Sequence, residues 1–458
     1  MATTPSVSAS ALQALDDASV NRFHRLVTFL SGMGVFLEGY DFTNIASALI
    51  FLVPYFQLGA VQISFLAIST YVGTFVGALS VGYLSDRFGR KFMYTWDIVL
   101  YGLFAILSAL SVNYGMLLFC RAALGFGIGA DQALSFTIIA EFAPNKARGR
   151  LNASTWIMWT VGSLITYAIS YLFLPVFGPN TWRFLFALSV IPAAIVLIRR
   201  RALPESPRWL FLQGRTQEAE AVSASTVAGG TGSVASFHAD SRDRASRPTP
   251  VRPRFSALFA SPAQTRRTLY IVFMWFCITV NTYGIGYFTP FIFKTLGFTA
   301  SRSLLGGMIV AVFAVMGSTI MYLSVERAGR KTLAILGFSL LAAVDLTVSL
   351  LAHHLIFGVL LALFSLFQLS AWIGPAGLVG VVAPEVFPTE IRSLGTGFAA
   401  GLGRLGSIVG ILILPLLLKS VGLSGAMLVF CLDALVAVAA MILFGTETKG
   451  QSLEKLSQ

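Results

Sequence analysis

The residues with the most chemical potential lie inside apolar runs: the tetrad Glu38-Gly39-Tyr40-Asp41, then Arg121, Asp131 and Arg404. An ionisable side chain surrounded by apolar sequence is costly unless it is paired or hydrated, so each is a candidate functional group. A carboxylate facing a guanidinium sheds its proton; separated from it in an apolar setting, it binds one. Asp41 and Arg121 could therefore form a switch that takes up and releases a proton, with Glu38 beside it. The competing readings are a static ion pair, or an Asp41 open to a water-filled cavity. Gly39 leaves room for a closely packed helix, as do Gly125, Gly127 and Gly129 after Arg121. Asp131 follows Arg121 by ten residues, about 15 Å along a helix. It reads as a second proton site or as part of a cytoplasmic gate.

Arg404 lies in Gly401-Leu402-Gly403-Arg404-Leu405-Gly406, where the glycines allow a ligand or a helix to come close. A guanidinium there is expected to hold either an internal acid or an anionic substrate. Trp156, Trp159, Asn281, Tyr283, Tyr287, Gln368 and Trp372 could line an amphipathic cavity around such a substrate, although each aromatic also suits packing or a membrane interface. Asp97, Asp345 and Asp433 match no interpretable motif. Cys120, Cys277 and Cys431 lack metal or disulfide spacing. No cofactor, metal cluster, nucleophile triad or Walker-type loop is expected, so the chain does not read as an enzyme.

The elements that must position these groups follow from composition. The chain has 458 residues, 56% hydrophobic and 11% charged. A water-soluble protein of this length needs more charge on its surface. Apolar runs of ~20 residues, long enough to cross a bilayer as helices, recur throughout. Twelve spans are predicted at 26–50, 63–84, 93–112, 116–140, 152–174, 182–199, 268–292, 303–324, 332–352, 355–383, 394–418 and 422–444. Outside the long central loop, basic residues divide 14 to 4 between the two sides, which predicts cytoplasmic termini. The net charge of +12 thus sets topology and implies no nucleic-acid partner. The polar N-terminus lacks the apolar core of a signal peptide.

Residues 215–266 are rich in Ser, Ala, Gly, Thr, Arg and Pro. They read as part of a linker, with disorder expected around 223–250. On either side, short motifs recur. Asp86-Arg87-Phe88-Gly89-Arg90-Lys91 returns as Glu326-Arg327-Ala328-Gly329-Arg330-Lys331. Glu141-x-x-Pro144-x-x-x-Arg148 returns as Glu385-x-x-Pro388-x-x-x-Arg392, and Glu205 as Glu447. The offsets of 240, 244 and 242 residues imply a duplicated six-helix unit. The predicted organisation is a tail at 1–25, a bundle at 26–200, a linker at 201–266, a second bundle at 267–445 and a tail at 446–458. Where helices leave the bilayer, these carboxylates and guanidinium groups could pair, cap helix ends and close a cytoplasmic gate. Plain positive-inside anchoring is the alternative.

The motifs GYLSDRFGRK, ERAGRK, RAALGFGIGAD, PESPRWL, PEVFPTEIR and ETKG together resemble the major facilitator superfamily, in particular its sugar-porter, organic-ion and metabolite:proton symporter branches. The resemblance implies an all-α polytopic membrane protein, with twelve transmembrane helices in two pseudo-symmetric six-helix bundles around a central cavity. In similar porters the Asp of the first-helix GYD motif carries the proton, and the Arg opening the span-4 glycine motif is its partner; Asp41 and Arg121 match. In similar organic-anion carriers a helix-11 Arg holds the substrate carboxylate, a position matched by Arg404. Phosphate:proton carriers have an Asp at the position of Asp131, but their span-7 acid is here Thr279. Sugar porters have a Gln where this chain has Trp156, which weakens a hexose reading.

The leading expectation is a monomeric secondary transporter of the cell inner membrane. It would carry a small organic anion, such as an aromatic carboxylate, in symport with protons. The alternatives are a sugar or polyol symporter, an organic-cation carrier, and a non-transporting sensor with a carrier fold.

Overall fold

The structure, a computed structural model, describes residues 13–144, 147–230, 255–286, 288–352, 356–387 and 391–448. Its first half contains α1 (Arg22–Phe56), α2 (Ala60–Phe88), α3 (Arg90–Ala109), α4 (Tyr114–Phe142), α5 (Arg148–Phe177), α6 (Thr181–Leu188) and α7 (Val190–Arg200). Two short helices, α8 (Pro207–Leu212) and α9 (Thr216–Val227), follow. The second half contains α10 (Pro262–Asn281), α11 (Thr289–Thr295), α12 (Ala300–Ala328), α13 (Arg330–Leu351), α14 (Phe357–Ile373), α15 (Pro375–Val386), α16 (Arg392–Ser420) and α17 (Gly422–Phe444).

Among the described residues, eleven helical stretches are long and apolar enough to cross a membrane. One of them, 150–200, is a hairpin. The chain turns through Gly178–Asn180, where Gly178 has φ 51°, and α6 and α7 run back along the bundle. That restores the twelve crossings. Polar residues set the entries to several helices: Asn21 accepts the amides of Phe23 and His24, Asn113 that of Met116, Ser261 that of Gln264, and Thr299 that of Arg302.

Both halves assemble by the same pairing. In the first, α1 packs along α5, α2 along α4, and α3 along α6 and α7; in the second, α10 packs along α16, α12 along α14, and α13 along α17. Between halves, α5 meets α12, α2 meets α16, and α1 meets α11. The span-4 glycines work at close range. A Cβ on Gly125 would lie 2.1 Å from the Thr70 carbonyl oxygen, and one on Gly129 would lie 2.0 Å from that of Thr74. Likewise, a Cβ on Gly39 would lie 2.1 Å from the Trp159 carbonyl oxygen.

Three predicted spans are not single helices: span 6 is divided at Ser189 into α6 and α7. Span 7 leaves α-helical geometry after Asn281, passes through a π turn at Thr282–Gly286 and resumes as α11. Span 10 breaks at Gly374, before Pro375, into α14 and α15. Proline cannot continue the preceding hydrogen-bond ladder. The disorder expected from residue 223 begins too early, because α9 reaches Val227. Its Ala219 and Val222 pack in one apolar cluster with Phe23 and Phe142, and Asn21 Nδ2 donates to the Thr226 carbonyl at 2.7 Å. Residues 231–254, 353–355 and both chain ends lie outside the described residues.

Candidate functional site

Two buried ion pairs start one turn apart on α1. Asp41 and Arg121, both almost wholly shielded from solvent, make a two-pronged contact between α1 and α4. Arg121 Nη1 donates to Asp41 Oδ1 at 2.9 Å, and Nη2 donates to Oδ2. The Arg121 guanidinium also lies 5.0 Å from the centroid of the Phe186 ring. The expected partners do meet, inside the first half.

Glu38, three residues earlier, faces the other way, towards the second half. Its Oε1 accepts from Arg404 Nη2 at 2.7 Å, and its Oε2 accepts from Gln132 Nε2 at 2.7 Å. Arg404 Nη2 also donates to Gln132 Oε1, which closes a ring of three side chains from α1, α4 and α16. All three are buried. A buried guanidinium needs partners to offset its desolvation, and here Glu38 and Gln132 supply two from the opposite half. Gln132 was missed by sequence reasoning because a neutral amide beside Asp131 belongs to no motif. Of the two expectations for Arg404, an internal acid or a substrate anion, the structure shows the first.

A cavity of about 30 Å³, whose lining residue Phe42 also flanks Arg404, has none of the ring's three side chains in its wall. Phe42, Thr43, Trp159 and Ser163 line it from the first half; Tyr283, Gln368 and Trp372 do so from the second. Trp159 and Trp372 have ring centroids 5.1 Å apart, and Tyr283 stands edge-on to Phe42 at 5.9 Å. Phe42 also brackets Arg404, 5.6 Å from its guanidinium carbon. The polar lining includes a 2.7 Å bond from Thr43 Oγ1 to Ser163 Oγ. This volume holds about one water and falls far below the ~300 Å³ at which ligand pockets begin. The halves must part to admit a solute.

Other expected lining residues lie elsewhere. Asn281 points away from the cavity and donates to Asp433 Oδ2 at 2.8 Å and to the Phe430 carbonyl at 3.2 Å, joining α10 to α17. Trp156 does not line the cavity; it packs between Phe136 and Trp372. Tyr287 is outside the described residues. Helical periodicity identifies polar and aromatic residues in a span, but it does not say which neighbour each will face.

Asp131 is held by Arg200 at the end of α7. Arg200 Nη1 donates to Asp131 Oδ1 and lies 3.4 Å from Asp97 Oδ1, while its guanidinium carbon lies 3.5 Å from the Tyr94 ring centroid. These four residues form a buried cluster distinct from both α1 pairs. Arg200 lies one residue past the predicted span 182–199, outside the apolar runs searched for ionisable groups, which concealed its partnership.

At the end of the molecule that carries the repeated motifs, the duplication is realised atom by atom. The α2–α3 junction turns at Gly89 (φ 100°), and the α12–α13 junction at Gly329 (φ 87°). Glu205 accepts the Lys91 amide at 3.2 Å; Glu447 accepts those of Arg330 and Lys331 at 3.0 and 3.1 Å. Arg90 lies 3.6 Å from Glu141, and Arg330 lies 3.0 Å from Glu385. Burial raises the Glu141 carboxyl from its usual range, against the pull of Arg90. Each described pair joins helices of one half, so it stiffens a bundle and does not tie the two together. Arg327 is exposed, and the side chains of Asp86, Arg87, Arg148, Glu326 and Arg392 lie outside those described.

Comparison with known proteins agrees with this architecture. A family model described as "Sugar (and other) transporter" matches residues 27–458. The chain is 31% identical over 446 residues to the inner membrane metabolite transport protein YgcS of Escherichia coli, covering 96% of this chain and 95% of that one. It is 27% identical over 448 residues to the niacin transporter NiaP of Acinetobacter baylyi, with 96% and 98% covered. The structure of the proton:xylose symporter XylE superposes with a TM-score of 0.77 at 23% identity, over 95% of this chain and 98% of that one.

Proposed function

The chain belongs to the sugar (and other) transporter family of the major facilitator superfamily, and from that premise we propose that it is a proton-coupled symporter of a small organic anion. It is a multi-pass membrane transporter and not an enzyme. The observation that carries the anion reading is Arg404: a buried guanidinium delivered across the interface between halves, beside an aromatic-walled cavity. A carboxylate on Arg404 with its apolar body between Trp159 and Trp372 would satisfy both features. The niacin transporter among its relatives supports the same class, because niacin is an aromatic carboxylic acid.

Asp41 is the proton carrier in this reading. Arg121 holds it in a bidentate pair; movement of α1 against α4 as the halves rock would open that pair and free the carboxylate for a proton. The motif-bearing end would face the cytoplasm, a reading supported by the 14 to 4 division of basic residues. Residues 26–200 and 267–445 would rock as two bundles about the central site, joined by the linker at 201–266, and one copy of the chain would suffice. The repeated charged motifs would brace the cytoplasmic gate.

A second reading is a neutral sugar, favoured by the Thr43, Ser163 and Gln368 polar groups in the cavity wall and by the sugar carriers of the same fold. A thermal-shift panel of carboxylates, phosphate, sugars and organic cations separates the two, because a ligand of the folded state raises its apparent stability. Selective stabilisation by carboxylates, lost in Arg404→Ala, is expected. Stabilisation by sugars alone would replace the anion with a sugar.

A further inference from the structure

The Glu38–Arg404–Gln132 ring raises a problem for any anion carrier: the guanidinium that would receive the substrate already holds a carboxylate. We infer that Glu38 is a built-in competitor for the substrate's place on Arg404, and that a proton on Glu38 is the condition for anion binding. This inference rests on the anion reading above.

Charge balance in the buried site requires it. Ionised Glu38 and Arg404 together are neutral. Adding a monocarboxylate to that pair would leave one uncompensated negative charge in a low-dielectric interior, which is strongly unfavourable. If the Glu38 carboxylate instead takes a proton, it becomes a neutral carboxyl and releases Arg404 Nη2. The substrate carboxylate then takes that donor, and the site is neutral again. One proton enters with each anion, and no net charge is left behind. Gln132 suits both states, because its amide can donate to an ionised Glu38 through Nε2 or accept from a carboxyl through Oε1.

The other groups around Glu38 sharpen its role. Arg404 faces it from α16; Asp131 acts on it from α4, on which Arg121 lies ten residues earlier, nearly three turns away; Tyr283 acts on it from the π turn and Trp159 from α5. On its own helix Asp41 is already matched by Arg121. Arg404 is thus the cation that pairs directly with Glu38, and removing it or offering it another anion changes Glu38 most. Proton coupling is thereby divided between two acids of α1. Asp41 would answer to the motion of the helices, and Glu38 to the arrival of the substrate.

The test is binding of benzoate and nicotinate to the purified full-length protein from pH 5 to 9, in wild type and Glu38→Gln, read by calorimetry in two buffers of different ionisation enthalpy. Wild type is expected to bind with uptake of one proton, and its affinity to fall about tenfold per pH unit above the titration of Glu38. Glu38→Gln, which keeps the shape and an acceptor for Arg404, should bind at all pH values with no linked proton. If the carboxylates bind wild type but Glu38→Gln keeps the same proton uptake, the inference is overturned while the anion reading stands. If neither protein binds a carboxylate at any pH, the anion reading fails and the inference falls with it.

Discussion

The motif-bearing end and the centre of this molecule treat the duplication in opposite ways. At the end, the two halves are near copies: Gly89 with Glu205 and Arg90 with Glu141 in one, Gly329 with Glu447 and Arg330 with Glu385 in the other. At the centre they are unlike. The first half supplies Glu38, Asp41, Arg121 and Gln132, while the corresponding stretches of the second, 278–285 and 361–365, carry no charged residue. In return the second half supplies Arg404, whose counterpart stretch 160–164 is uncharged. Duplicated motifs persist where the fold needs the same turn twice. They diverge where chemistry needs an acid on one side and a cation on the other. The groups proposed to handle protons therefore lie in one half and the group proposed to bind the anion in the other, and the Glu38–Arg404 bond is where they meet.

The largest effect that would break this comparison is at Asp41. Asp41→Asn should abolish proton-driven accumulation in proteoliposomes while leaving substrate exchange measurable; accumulation against a gradient that survives the change would take Asp41 out of the coupling role. Next is Arg404→Ala, which removes a charge-assisted contact worth about 1.5–3 kcal/mol. Carboxylate affinity should fall about 10- to 100-fold, whereas Leu405→Ala beside it should leave titrated binding unchanged.

How far the sequence alone reaches differs between these regions too. The offsets of the charged motifs show the duplication, and the GYD and RAALGFGIG segments single out Asp41 and Arg121, because both signals are local and spaced by the chain itself. The Gln132 bridge and the Arg200 clamp on Asp131 arise from how helices are rotated against one another, which no spacing along one helix records. Asn281 and Trp156 show the same limit from the other side: suitable residue types in suitable spans, turned away from the cavity. The breaks at Asn281 and Gly374 were hidden by hydropathy that continues across them, although Gly374-Pro375 is a visible breaker.

Smaller effects test the symmetric end. Gly89→Ala and Gly329→Ala each force an L-residue into a positive-φ turn, at a cost of about 1–3 kcal/mol, and a Cβ would stand 2.8 Å from Glu205 and 2.6 Å from Glu447, respectively. Both should lower the apparent melting temperature in detergent by similar amounts. A large loss at one and none at the other would show that the end is not equivalent in the two halves. Glu205→Gln and Glu447→Gln remove only the charge from each cap, about 0.3–1 kcal/mol, and the two should again match.

The central claim is that Arg404 receives a carboxylate that travels with protons. Uptake of radiolabelled benzoate and nicotinate into proteoliposomes under an imposed inward proton gradient tests it most directly, with a pentose and a hexose run alongside. The account predicts that carboxylate accumulates above equilibrium in wild type, that this collapses when the gradient is dissipated, and that Arg404→Ala does not accumulate it. Accumulation of a sugar with no movement of either carboxylate would contradict it.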